Sequence, residues 1–317
     1  ISNKIYQKIY VDYLSHIIMN QYLNIRIILS KDDYNPTHIT RTIVQNKYNL
    51  LNFGVQHSSF NYPFIIPENT YTYFDNYYIV GKNFINLWKP YWTVNKHFIP
   101  VGAKRSHLFL KENICEDKRL IFTEKYKNKI CILILIGSLT SVYTPSWLYK
   151  RKFENIHKLL NINENIQLIL RPRTSNTIDL FLEIMPHLIE FIESGRISIE
   201  YEDYETQELT SFVNILVAED SSELVLESIF LDDILILSYA QRYPFINLLK
   251  GIMMKDFDEL YSTIRNFVDN HKYPEFNKSN IKFIKNNYVM ANKESSWYRI
   301  SKDLDKNLLL LDDSNKI

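Results

Sequence analysis

The apolar positions divide this chain into two stretches of different texture. From the start, helical spacing predicts a helix over about 3–22, then a strand at 24–29, a helix at 37–47 and a strand at 51–55. Asp32, Asp33, Asn35 and Pro36 punctuate the first strand-to-helix connection. Aromatic residues then crowd 60–92, Pro63, Pro67, Pro90 and Pro100 cut the chain here and just beyond into short pieces, and the charged stretch 111–129 reads as a linker. Beyond it the pattern becomes regular. Residues 130–136 form a continuous β-rich apolar run, as expected of a strand buried on both faces. Phe153, Ile156, Leu159 and Leu160 have helical spacing, 166–170 is a strand, and 177–194 is a helix bent near Pro186 and ended by Gly195. Strands follow at 197–201, 215–218 and 234–237, with a helix at 222–231 between the last two. Asp256 and Glu259 form a capping pair for a helix to about 270, and 295–311 is an amphipathic helix. Alternation of this kind implies parallel sheets flanked by helices.

Composition narrows the classes. With 46% apolar and 23% charged residues, the chain has the balance of a globular protein. A net charge of +1 supplies no field to recruit nucleic acid. Cys115 and Cys131 cannot build a disulfide framework, so a reducing, cytoplasmic compartment is expected. The longest apolar run is too short to span a bilayer, and residues 1–20 do not read as a signal peptide.

Candidate chemistry lies where strands end, because helix N-termini there present free N–H groups. In the segment from Ile215 to Glu223, a strand runs into Asp220, Ser221 and Ser222, with Glu227 one helical turn later. Hydroxyls and backbone amides suit a diphosphate, and Glu227 suits ribose hydroxyls; taken alone, an ordinary N-cap explains the same residues. Arg171 and Arg173 follow another strand and fit bidentate phosphate recognition, against the alternative of solvated surface arginines. A third loop carries Tyr143, Thr144, Pro145, Ser146 and Trp147. In the first half, Gln56-His57-Ser58-Ser59 ends a strand, and His57 is the one histidine placed as a general base. Asp256-Phe-Asp258 and Asp303-Leu-Asp305 fall at or within helices, where capping and solvated faces account for them. No metal site and no resident cofactor are expected.

Taken in order, these segments resemble the nucleotide-donor transferases of surface polysaccharide assembly, nearest the CDP-glycerol glycerophosphotransferase-like and capsule glycosyltransferase families. Gln56-His57 resembles their Gln/Trp-His-Gly segment, and Val101-Gly102-Ala103-Lys104 their Val-Gly turn. Tyr143 to Trp147 resembles Tyr-Ala-Pro-Thr-Trp, Arg171-Pro172-Arg173 an Arg-x-His-Pro loop, and Asp220 to Glu227 an Asp-x-Ser-Ser-x-x-x-Glu segment. The likeness covers about 24–270. It implies an α/β fold of two Rossmann-like lobes of the GT-B type: an acceptor-side lobe over 1–110 (truncated or reduced), a donor-binding lobe over 111–290, and a helical tail over 291–317. It implies a metal-independent transferase taking a sugar or polyol phosphate from a nucleotide-activated donor to a glycan or lipid-linked glycan, with His57 as base. That assignment leaves room for peripheral contact with the inner membrane face. Three positions depart from the pattern: Ser58 stands for a glycine, Arg173 for a second histidine, and Glu223 for the second serine. A non-catalytic lobe that binds a glycan or partner, or a nucleotide-sugar epimerase, are the competing readings.

Overall fold

A computed structural model describes residues 2–23, 25–31, 37–56, 72–92, 94–109, 113–137, 146–219, 223–231, 233–239, 252–271, 282–290 and 294–314. The chain forms two compact units, one of residues 1–107 with 283–317, the other of residues 108–282.

In the first unit, β1 (Ile27–Ser30), β2 (Leu51–Val55), β3 (Asn76–Ile79) and β4 (His97–Pro100) form a parallel sheet in the order β1-β2-β3-β4. Helices α1 (Ser2–Tyr22), α2 (Thr37–Lys47) and α3 (Lys82–Trp88) accompany it. The first two helices and strands match the sequence expectation, whereas β3 and α3 arise inside the aromatic segment read as broken pieces and β4 just after it. Their pattern is hard to read because β3 buries Tyr77, Tyr78 and Ile79 in succession and α3 is only seven residues long; Phe74, Phe84, Trp88 and Trp92 also lie inside. Trp88 and Trp92 stack with ring centres 5.2 Å apart, and Tyr77 meets Trp92 edge-on at 5.4 Å. These rings are core, so they offer no platform for sugars.

The closing helix, Ser296–Ser314, belongs to this first unit rather than standing apart as a tail. Ile300 joins Phe53, Val55, Tyr78 and Val101 in one apolar cluster. Tyr78 Oη donates to Asp303 at 2.8 Å, and Arg299 Nη1 donates to the Val101 carbonyl at 2.8 Å. Asp303 is therefore an anchor and not a residue of a solvated face. The returning chain passes so near Gly81 that a Cβ there would lie 2.5 Å from the carbonyl oxygens of Asn287 and Tyr288. Backbone cannot swing aside as a side chain can. Gly81→Ala is expected to destabilise the protein by about 1–3 kcal/mol, read as a lowered denaturant midpoint; an unchanged midpoint would refute that close approach.

In the second unit, β5 (Ile130–Ile136), β6 (Ile166–Pro172), β7 (Ile197–Ile199), β8 (Ile215–Glu219), β9 (Leu235–Tyr239) and β10 (Met253–Met254) are all parallel, in the order β10-β9-β8-β5-β6-β7. The helices are α4 (Glu116–Lys125), α5 (Ser146–Phe153), α6 (Ser175–Ile184), α7 (Ile189–Glu193), α8 (Thr206–Phe212), α9 (Glu223–Ser228) and α10 (Phe257–Asn270). Strand residues such as Ile132, Ile134, Leu168 and Val217 are buried against Phe153, Phe181, Ile264 and Phe267 of the covering helices. The bend at Pro186 appears as a short 3₁₀ turn between α6 and α7, and Gly195 ends α7 at φ +73°. Asp256 caps α10, accepting from the Glu259 amide at 2.9 Å.

The stretch read as a linker contains α4. Its single buried residue, Phe122, rests on Tyr126, Tyr204 and Phe212, while Lys118 and Lys125 pair with Glu208 and Glu200, far along the chain. Leu120, Ile121 and Phe122 are consecutive and only the last is buried, so no helical period marks the element. Helix α8 escapes the sequence pattern for a related reason: it begins with a Glu205–Glu208 capping box in a polar stretch.

Candidate functional site

Strand order fixes where a ligand can enter the second sheet. The chain runs from β5 outward through β6 and β7, then returns to the other side of β5 as β8, β9 and β10. The reversal falls between β5 and β8. In open parallel sheets the crevice beyond the carboxyl ends of two such strands is the place for a ligand. Ile134 pairs with Val217, which sets Ile136 and Glu219 level at that edge.

Each of the sequence-predicted donor segments follows a strand of this sheet. Residues 138–145 follow β5 and 220–222 follow β8, so two of them flank the reversal. Tyr143, Thr144, Pro145, Asp220, Ser221 and Ser222 lie outside the described residues. Downstream, α5 starts at Ser146 and carries Trp147, 61% exposed, and α9 starts at Glu223. Glu227 is 2% exposed within α9.

The loop after β6 is hitched to the same edge, because the Arg173 amide donates to the Ile136 carbonyl at 3.0 Å. Its two arginines differ. Arg173 is exposed beside the end of β5. Arg171 Nη1 donates to the carbonyls of Glu200, at 3.1 Å, and Tyr201, and its guanidinium lies 5.3 Å from the Tyr201 ring centre. Burial pulls its pKa below the usual guanidinium value, offset in part by Glu205, Tyr201 and Glu200. Arg171 thus ties β6 to the end of β7. Glu200, 2% exposed, accepts from Lys125 Nζ at 2.6 Å and from Tyr126 Oη. Burial, and then donation to that carboxylate, raises the Tyr126 pKa. Sequence reasoning overlooked this cluster; the one cue was a glutamate directly after an apolar strand.

In the first unit, Gln56 closes β2. Its amide donates to the Tyr78 carbonyl at 2.9 Å and its Oε1 accepts from the Val80 amide at 2.9 Å. That buried glutamine pins the point at which the chain leaves the carboxyl end of the strand. His57 comes next and lies outside the described residues. The Val101-Gly102 turn serves the fold. Gly102 adopts φ +93°, and the Ala103 amide donates to the Val289 carbonyl at 2.8 Å.

No protein-family profile matches the chain, and no curated protein sequence matches it. Solved structures do. MnaA of S. aureus, bound to UDP, is similar with a TM-score of 0.63 at 11% identity, over 96% of this chain and 82% of that one. A putative UDP-N-acetylglucosamine 2-epimerase from Listeria monocytogenes has a TM-score of 0.59 at 10% identity, covering 95% and 79%. A glycosyltransferase from Rickettsia africae has a TM-score of 0.58 at 14% identity, covering 95% and 81%. Likeness at this level of identity speaks for the fold. Two parallel α/β units with these neighbours make the chain a protein of two Rossmann-like lobes, of the GT-B type.

Proposed function

We propose that this protein uses a nucleotide-activated donor and transfers its sugar or polyol phosphate to a glycan hydroxyl. The observation that carries the proposal is the strand order β10-β9-β8-β5-β6-β7, whose reversal lies between β5 and β8. Serine- and arginine-bearing segments follow those strands and β6. The diphosphate is assigned to the crevice there, held by Ser221, Ser222, the first amides of α9 and Arg173. Arg171 keeps the β6 loop in place through its contacts with Glu200 and Tyr201. Asp220 and Glu227 serve the nucleoside end, and the segment from Tyr143 to Trp147 borders the same crevice. His57 takes the proton from the acceptor hydroxyl. Rate enhancement then comes from positioning and from charge stabilisation on the departing phosphate, without a covalent intermediate. The structural similarity to proteins whose names record UDP and glycosyl transfer supports this reading.

A nucleoside diphosphate is expected to protect the fold. At a hundred times its Kd a ligand adds about 2.7 kcal/mol to stability. Thermal unfolding with UDP, CDP, GDP, dTDP and CMP checks this, and Arg173→Ala is expected to weaken the diphosphates far more than the free nucleosides. No shift with any of the five at millimolar concentration would end the donor-site reading. Incubating a UDP-sugar in heavy water without acceptor separates the epimerase: deuterium entering the sugar ring would replace transfer by epimerisation.

A further inference from the structure

A groove of about 440 Å³ opens on the second unit between the end of α5 and the start of α10, at the end of β9 rather than at the β5–β8 reversal. Its volume is within the range of small-molecule sites, roughly 300–1,000 Å³. Tyr239, the last residue of β9, lines it and is 2% exposed. The ring is held from beneath by Lys152, 5.3 Å from its centre, and by the edge of Phe153 at 6.4 Å. Its hydroxyl makes no hydrogen bond to the described residues. Burial first, and then Asp256, pushes the phenol up to about 12, so it stays a hydrogen-bond donor at neutral pH. A donor at the floor of a cavity, with the rest of its side chain buried, is satisfied by whatever fills the place.

The rest of the lining selects the chemistry of the occupant. Arg151 and Lys158 stand against Glu154, Asp256 and Asp258, so both signs of charge rim one small space. An anion meets the carboxylates, and a cation meets the guanidinium and ammonium groups. A neutral molecule with many hydroxyls can donate to the carboxylates and accept from the guanidinium and ammonium groups. Phe257 and Tyr261, with ring centres 6.1 Å apart and tilted by 44°, add apolar faces suited to the C–H face of a pyranose.

We propose that this groove is a carbohydrate site, separate from the donor crevice, that holds one or two neutral sugar residues. It would grip a glycan on the second unit whether or not that glycan is the acceptor. The test is saturation-transfer NMR on the whole chain with lactose, cellobiose and N,N′-diacetylchitobiose, each at millimolar concentration. Transfer to at least one disaccharide is expected, weakened about 3–10-fold by Tyr239→Phe, the loss of one hydrogen bond. Asp258→Ala, at an exposed position in the first turn of α10, is expected to weaken the same signal. Both variants should keep the wild-type melting temperature and the full nucleotide shift, which separates failure here from failure of the donor reading. No transfer from any of the three sugars would overturn the proposal. So would signals unchanged in both variants, or signals removed by a nucleoside diphosphate.

Discussion

His57→Ala is expected to slow transfer about 10²–10⁴-fold, the usual contribution of a general base, while the nucleotide shift in melting temperature stays intact. The histidine follows Gln56, whose buried amide and side chain lock the end of β2 against Tyr78 and Val80. Gln56 thus ends β2 at the carboxyl edge of the first sheet, the edge from which parallel sheets present side chains to ligands. The groups proposed to hold the donor all belong to the second unit, so binding and turnover should separate. Full activity in His57→Ala would remove it from the mechanism. Equal losses of melting temperature, nucleotide shift and turnover would make it a structural residue.

Trp92→Ala is expected to cost about 3–5 kcal/mol, the range for deleting a large buried aromatic side chain. Trp92 is 1% exposed, stacked on Trp88 and met edge-on by Tyr77. Unfolding of the first unit should follow at much lower denaturant, while the second unit retains nucleotide binding. A sugar platform would behave in the opposite way, with stability kept and acceptor binding lost. That pair of measurements decides between the two uses of an aromatic residue.

The regular half of the chain was easier to read than the aromatic half, and the reason is physical. Strands β5, β6, β8 and β9 are buried on both faces, so their apolar runs stand out from the polar loops around them. In β3 three successive side chains, Tyr77, Tyr78 and Ile79, are buried, so no alternation survives, and α3 is too short for the spacing of Phe84 and Trp88 to stand out. Helix α4 shows the opposite problem. It buries one phenylalanine and is otherwise held by ion pairs to residues more than 70 positions away.

The sequence by itself determined the parallel α/β class, the capped start of α10, the bend at Pro186 and the set of strand-ending segments rich in Ser, Arg and His. These are local matters, set by side-chain periodicity, backbone freedom and hydrogen bonds within a few residues. Only the tertiary structure decided the rest. Strand order placed the reversal between β5 and β8. The return of residues 283–317 to the first unit closed its core over Gly81 and Gly102. Arg171 was drawn to the end of β7 while Arg173 was left exposed, and Tyr239 was set at the floor of a groove. Each of these depends on which distant segments meet, and adjacency across a sheet leaves no mark in the spacing of residues along one chain.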